Sequence, residues 1–337
     1  MSLITLKMLA DRLKLHPSTV SRALRNEPNV HPKTKKKVLA LANQLDYRPN
    51  FVARQLKERR SRNIGVMVPE IRHDFFSNAV SGIERVAHRN GYAIILCQSD
   101  ENYQHEVMNA GVLEQNRVAG LIVSVSQETV NSDHFKSYQR RGGLLVFFDR
   151  ICEDVVATKI ISDDFGGALN ATEFLIQKGY RRIAHLAGPP ELHIASERLR
   201  GYTEGLNQHH IPYQPELVLY GGLHENDGIQ GAQRLLDLTE PPDAIFTVNS
   251  PVALGTYEII KERGLKIPED VGVLCFYNSV FTRLVDPPLT TVDQTPEKMG
   301  ELAAERLLAQ IRMVDAGEEI ITETITVKTK LIVRASA

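Results

Sequence analysis

Tryptophan is absent from these 337 residues, cysteine occurs three times, and aromatic residues make up only 6% of the chain. Cys97, Cys152 and Cys275 lie far apart and are odd in number, which excludes a disulfide framework and points to reduced core residues. No apolar run approaches the roughly 20 residues that would span a bilayer. The opening MSLITLKMLADRLK has a helical amphipathic pattern, not the apolar stretch and cleavage site of a secretory signal. A cytoplasmic protein without membrane association is expected. Catalytic signatures are missing as well: no G-x-G-x-x-G after a strand, no phosphate loop, no G-x-S-x-G elbow, no H-E-x-x-H. The eleven histidines are scattered; His209-His210 reads as a surface pair, and His185 as a core or cleft residue. Asp163-Asp164 opens a helix, where acids favour the dipole, so capping is expected there instead of acid–base chemistry. Neither catalysis, a cofactor nor a metal is expected.

Net charge is nearly absent too, at −1, but the balance is uneven. Residues 1–62 hold fifteen Lys and Arg against four acids, a charge of +11, and the other 275 residues carry −12. A basic head on an acidic body suits a head that grips a polyanion, because phosphates recruit Lys and Arg through counterion release. The length fits a small domain plus a larger one, or three comparable units.

Within the head, Thr5 caps a short helix with Leu6, Leu9, Ala10 and Leu13 on one face. After a tight break, His16-Pro17 starts a second helix, with Pro17 at the first position, where no N–H is needed. It buries Val20, Ala23 and Leu24 and presents Ser18, Thr19, Ser21 and Arg22. A third helix runs from about Pro32 to Leu45, with Val38, Leu41, Ala42 and Leu45 inward. Two short helices backed by a third make a helix-turn-helix unit. Arg22 could pair bidentately with guanine in a major groove, worth about 1–3 kcal/mol of discrimination. The Lys33–Lys37 cluster would sit on phosphates.

The run TLKMLADRLKLHPSTVSRALRNEPNVHPKTKKKVLALANQLDYRPNFVARQLK resembles the DNA-binding head and hinge of the lactose-repressor (LacI/GalR) family without a gap. The resemblance implies a DNA-facing set of Thr5, Leu6, His16, Pro17, Ser18, Thr19, Ser21, Arg22, Asn29, Val30, Thr34, Tyr47, Asn50, Ala53, Leu56 and Lys57. Leu56 would be a minor-groove wedge, and Ala53 would allow paired hinge helices to approach. Three positions depart from the family: Lys14 stands for the usual turn glycine, and His16 and His31 stand for the usual serine caps. Lys14 is expected to be left-handed and strained. His16 either weakens its cap or brings an imidazole to a phosphate.

From Asn63 onward, apolar runs at Ile64–Val68, Ala93–Cys97, Gly120–Val123, Leu144–Phe148, Ile183–Ala187, Ala244–Val248 and Val271–Phe276 alternate with amphipathic stretches such as Ser77–Asn90, Gly166–Lys178 and Ser250–Arg263. This predicts an α/β body of two doubly wound parallel-sheet subdomains with a cleft between them. The phrases RRIAHLAGP, ERLRGY, IPEDVGV and DPPLTTVDQ extend the resemblance over the body, implying a periplasmic-binding-protein-like sensor. The expected domains are 1–48 (helix-turn-helix), 49–62 (hinge) and 63–337 (sensor and dimerisation). Within the sensor, 63–162 plus 289–327 would form one subdomain and 163–288 the other, with chain crossings near Ser162, Pro288 and Val327.

Strand ends nominate Ser124 and Asp149 as ligand residues. The resemblance implies an aromatic after the first strand, Phe75 or Phe76 with the other in the core, together with Arg198, Asn249 and the position of Tyr277. By the resemblance, Arg198 is a ligand clamp, with a structural ion pair as the other reading. Tyr277 stands where the family has an Asp that grips hydroxyls, and Ser250 where it has another Asp. With Arg72, His73 and His193 nearby, the loss of that carboxylate suggests an acidic or phosphorylated sugar-like effector; simple drift of the pocket is the alternative. The expected protein is a homodimeric repressor of carbohydrate-related genes that binds a pseudo-palindromic operator on double-stranded DNA and answers to a small effector. The chain ends at LIVRASA without a heptad-bearing helix, so a dimer is expected, not a tetramer. The competing readings are a small-molecule-binding protein without a regulatory role and a regulator driven by a protein co-effector.

Overall fold

The computed structural model describes residues 5–24, 26–45, 47 and 61–337. The chain divides into two compact units, Met1–Ser61 and Arg62–Ala337.

The head contains α1 (Leu6–Leu13), α2 (Pro17–Leu24) and α3 (Pro32–Gln44). Its core is Leu9, Ala10, Val20, Ala23, Val30, Val38 and Ala42, the residues that helical periodicity places inward together with Val30 from the connecting turn. Thr5 caps α1, accepting from the Met8 N–H at 3.3 Å. Lys14 ends that helix at φ 52°, the left-handed region that normally favours glycine. The two histidines in place of serine caps act as caps themselves. His16 Nδ1 accepts from the Ser18 N–H, and His31 Nδ1 from the Lys33 N–H, each at 3.3 Å. An imidazole with a free lone pair thus replaces a hydroxyl.

The body holds two six-stranded sheets. The first sheet takes β1 (Asn63–Val68), β2 (Ala93–Gln98), β3 (Leu121–Val123), β4 (Leu145–Phe148) and β5 (Thr158–Ser162). Its helices are α4 (Asp74–Arg89), α5 (Tyr103–Gln115) and α6 (Asp133–Arg140). The second sheet takes β6 (Ile183–Leu186), β7 (Val218–Leu219), β8 (Ala244–Thr247), β9 (Gly272–Phe276) and β10 (Thr290–Asp293). It carries α7 (Asp164–Gln177), α8 (His193–Gln208), α9 (Glu225–Leu236) and α10 (Ser250–Glu262). The chain then returns to the first half with α11 (Pro296–Ala316). The last two strands part company: β11 (Thr324–Val327) edges the first sheet and β12 (Lys330–Ile332) the second. Strand orders are β11-β5-β4-β3-β1-β2 and β12-β10-β9-β8-β6-β7. All pairings are parallel except the antiparallel one of β12 with β10.

The crossings near Ser162 and Val327 fall between β5 and α7 and between β11 and β12. The middle one does not fall at Pro288. Residues 290–293 pair with β9 and belong to the second sheet, so the chain crosses only after Asp293. Residues 330–332 also return to the second sheet. Pro287-Pro288 breaks the chain but leaves it on the same sheet for one more strand.

The layers pack closely. On the first sheet, α4 and α11 meet across a pair of glycines: a Cβ on Gly82 would lie 2.1 Å from the Glu297 carbonyl oxygen, and one on Gly300 would lie 2.0 Å from that of Ala79. α11 supplies Met299, Ala303, Ala304, Leu307, Leu308 and Ile311 to the core on that face. Among the described residues, no helix is long and apolar enough to cross a membrane, and no cluster of His, Cys, Asp or Glu could hold a metal ion.

Candidate functional site

In the head, Ser18 is exposed and Thr19, Ser21 and Arg22 are half-buried on α2, whose buried residues are Val20 and Ala23. Arg22 folds back along its own helix, donating from Nε to the Ser18 carbonyl and from Nη2 to the Ser18 hydroxyl, both at 3.3 Å. Asn29 is exposed, and Thr5, Leu6, His16, Pro17 and Thr34 lie at least partly open. Val30 is different: it is 8% exposed and belongs to the head's core. Tyr47 is half-buried against the same core. Asn50, Ala53, Leu56 and Lys57 lie outside the described residues.

In the body, the loops after β1, β4, β8 and β9 converge from the two halves on one cleft. It is lined by Glu70, His73, Phe75, Phe76, Asp149, Arg150, Ile194, Arg198, Leu223, Asn249, Ser250, Pro251, Tyr277 and Gln294. Six of the seven nominated ligand residues are thus brought together. Ser124 is not among the lining residues. It is fully buried, and its hydroxyl accepts from the Arg150 N–H at 3.4 Å, which supports the corner that carries Asp149 and Arg150. That corner is tight. Asp149 has φ 59° and Tyr277 φ 75°, left-handed conformations that turn the chain sharply at the ends of β4 and β9.

Aromatic edges close one wall. Phe75 meets Tyr277 and Phe76 edge-on at 5.1 Å each, and Phe76 meets Phe148 at 6.4 Å. Asn249 caps α10 through Oδ1, which accepts from the Val252 N–H at 3.0 Å, while Nδ2 donates to the Leu223 carbonyl at 2.9 Å. Asp163 caps α7, accepting from the Gly166 N–H at 2.9 Å. Asp164 beside it does something else: it is buried and receives Arg198 Nε at 2.8 Å and Nη2 at 2.7 Å. Burial pushes the Asp164 carboxyl up, and Arg198 pulls it back. Burial likewise pushes the Asp149 carboxyl up to about 6, against the pull of Arg150 and Arg198. His185 sits in the core, not the cleft: its Nδ1 lies 2.9 Å from the Phe246 carbonyl, it stacks on Tyr202 and Phe246, and burial lowers it to about 4.

Contacts across the cleft hold the halves together. His73 Nε2 lies 3.4 Å from Glu225, and His193 Nδ1 lies 2.7 Å from Glu153. Asp74 accepts from the Ser279 hydroxyl at 2.8 Å and the Val280 N–H at 2.9 Å. Asn78 Nδ2 donates to the Tyr277 hydroxyl at 3.0 Å, and Gln294 Nε2 to Ser162 at 3.0 Å. The hydrogen bond to Glu70 holds the His73 imidazole above its ordinary range, and Glu225 adds to it. Arg72 is not among the lining residues: 67% of its side chain is exposed, and its Nη2 lies 3.7 Å from the cleft residue Glu70. The closed cleft encloses about 50 Å³, far less than the roughly 300–1,000 Å³ of ordinary ligand sites, so a sugar-sized molecule requires the halves to part.

Arg150, Gln294, Glu70, Ile194, Leu223 and Pro251 were not nominated from the sequence. For Gln294 a signal existed, since it directly follows the strand that crosses back. For Arg150 there was none, because an arginine next to a strand end is usually solvated.

Residues 5–50 match the profile described as bacterial regulatory proteins, lacI family. Residues 172–337 match the one described as a periplasmic binding protein-like domain. Over 338 aligned residues the chain is 32% identical to the "Probable HTH-type transcriptional repressor ExuR" of Bacillus subtilis (strain 168), covering 99% of this chain and 98% of that protein. The lac repressor dimer bound to operator and the anti-inducer ONPF superposes with a TM-score of 0.86 at 26% identity, covering 99% of each chain. The transcriptional regulator CelR–cellobiose complex gives 0.75 at 27% identity, covering 99% of this chain and 100% of that one.

Proposed function

The chain is a DNA-binding transcriptional repressor of the LacI family, and on that premise we propose that it works as a homodimer whose operator grip is set by a small effector. Two heads read the half-sites of a pseudo-palindromic operator in the cytoplasm. Ser18, Thr19, Ser21 and Arg22 face the major groove, the 49–62 segment lies at the operator's centre, and Leu56 wedges the minor groove. The effector is a carbohydrate-like molecule of acidic character that binds between the two sheets. It acts by changing how the halves close, a hinge motion about the three crossings. A 100-fold change in operator affinity requires about 2.7 kcal/mol of differential binding between the two closures.

The observation that carries this reading is the cleft itself. Its lining comes from both halves, and its closure rests on polar contacts that a ligand can replace. The cellobiose complex of a similar regulator supports a sugar-like occupant. Tyr277 puts no carboxylate into the cleft, which supports acidic character. Selection of an operator from random DNA, followed by fluorescence anisotropy with and without sugar acids, tests the proposal. A two-fold-related site whose affinity changes at least tenfold with a sugar acid is expected. Failure to select any sequence, or an affinity indifferent to every sugar, overturns it.

A further inference from the structure

Among the described residues two ion pairs join the halves of the body, and in both the cation is a histidine. The arginine and lysine pairs of the body each stay within one half. His73, immediately before α4, stands between two carboxylates. Glu70 of its own half bonds to Nδ1, and Glu225, the first residue of α9 in the other half, lies 3.4 Å from Nε2. A carboxylate only accepts, and a neutral imidazole has a single N–H. The neutral ring therefore turns a lone pair toward one of the two carboxylates, and only the imidazolium donates to both. His193, the first residue of α8, crosses in the opposite direction: its Nδ1 lies 2.7 Å from Glu153 of the first half.

We propose that closure of the two halves is proton-linked, with His73–Glu225 and His193–Glu153 forming a paired latch that engages in mild acid and releases in mild alkali. This rests on the hinge reading of the body. Imidazole is the side chain whose ordinary charge change falls between about pH 5 and 8. The closed form holds each imidazolium against a carboxylate that the open form takes away, so it binds more protons and gains as pH falls. Only the hold exerted by the opposite half counts. Glu70 raises His73 from within its own half, and Glu225 adds to that only when the halves meet. The other charges facing His73 are Arg72 on its own loop and His224 across the cleft. Facing His193 from its own half are Asp164 and Glu197, while Lys159 donates to the Glu153 carbonyl at 3.0 Å. Asp149, whose carboxyl burial pushes up to about 6, also changes charge in this range. Asp149→Asn therefore isolates the histidines.

Energy transfer between dyes at Glu84 on α4 and Glu258 on α10, both exposed, reports the fraction of closed protein. The dyes are attached without cysteine chemistry, and labelled full-length Asp149→Asn protein is diluted into unlabelled. The closed-to-open ratio is expected to fall about threefold or more between about pH 6 and 8. In His73→Gln combined with His193→Gln it is expected to stay level. Glu153→Gln combined with Glu225→Gln keeps both imidazoles but removes their partners, and it is expected to stay level as well. If one double variant does not fold, the other decides. A ratio that is constant in the parent, that rises with pH, or that still falls in a folded double variant overturns the proposal. No effector is needed, so the result stands whatever occupies the cleft. Closure that follows pH while affinity for a selected operator does not would instead overturn the reading in which closure sets the operator grip.

Discussion

Arg198 Nε and Nη2 both bond to Oδ1 of Asp164, and Oδ2 of that carboxylate is buried with no partner. The pair joins the first residue of α7 to the middle of α8, so it fastens the second half from within. Breaking a buried pair from one side leaves an uncompensated charge. Arg198→Met is therefore expected to destabilise the body by about 3–5 kcal/mol in urea denaturation. Arg198→Met combined with Asp164→Asn is expected to recover much of that loss. Equal losses in the single and double variants would assign the cost to packing instead.

Asp149 predicts a pH dependence with a definite sign. Its carboxyl rises from 3.8 to about 6 in the folded protein, so between about pH 4 and 6 the native state holds the extra proton. Stability contributed by this group therefore falls as pH rises through that window, and the deficit is complete above it. Asp149→Asn is expected to raise stability by up to about 3 kcal/mol at pH 8 and to have no effect below about pH 4. Thermal melts of the two proteins across that range are the measurement.

The Gly82 and Gly300 contact between α4 and α11 leaves no space for a methyl group against backbone. Gly300→Ala raises helix propensity, which elsewhere stabilises by up to about 1 kcal/mol. Here the two helices must separate, and a net loss of about 1–3 kcal/mol or more is expected. A stabilised Gly300→Ala protein in chemical denaturation would mean that the crossing yields more easily than its geometry indicates.

In the head, Lys14 holds a left-handed backbone that costs an L-residue about 1–2 kcal/mol. Lys14→Gly is expected to stabilise the head by about 1 kcal/mol, read as slower amide exchange in α1 and α2 of the full-length protein. Unchanged exchange would mean that unfolded-state entropy gained by glycine offsets the relief.

Much of the fold could be read because its strands are continuous apolar runs. Ile64–Val68, Ala93–Cys97 and Val271–Phe276 are all found in the sheets within a residue or two. Strands made of polar residues escaped. The TTVD of β10 has no apolar run to mark it, yet its threonine hydroxyls are buried against the chain's last residues, where the Ser336 hydroxyl accepts from the Thr290 N–H at 2.8 Å. That escape displaced the middle crossing by about five residues. At the site, strand ends and the family resemblance together gathered six cleft residues but could not tell which of them were already satisfied. Arg198 and Asn249 line the cleft with their polar atoms committed to the protein, while Arg150, with no pattern to mark it, keeps a donor unspent.

The path of α11 bears on how the protein is made. β1 to β5 leave the ribosome before the second sheet, but the apolar face they share with α4 is roofed by Met299, Ala303, Leu307 and Ile311, which follow only after β6 to β10. During synthesis the first half must wait, its greasy face uncovered, while about 130 residues of its neighbour are added. The half that begins first is thus roofed only after most of the second has been made. The nascent chain carries a window of aggregation risk that the finished protein conceals, and a holding chaperone should matter more to its yield than to its stability.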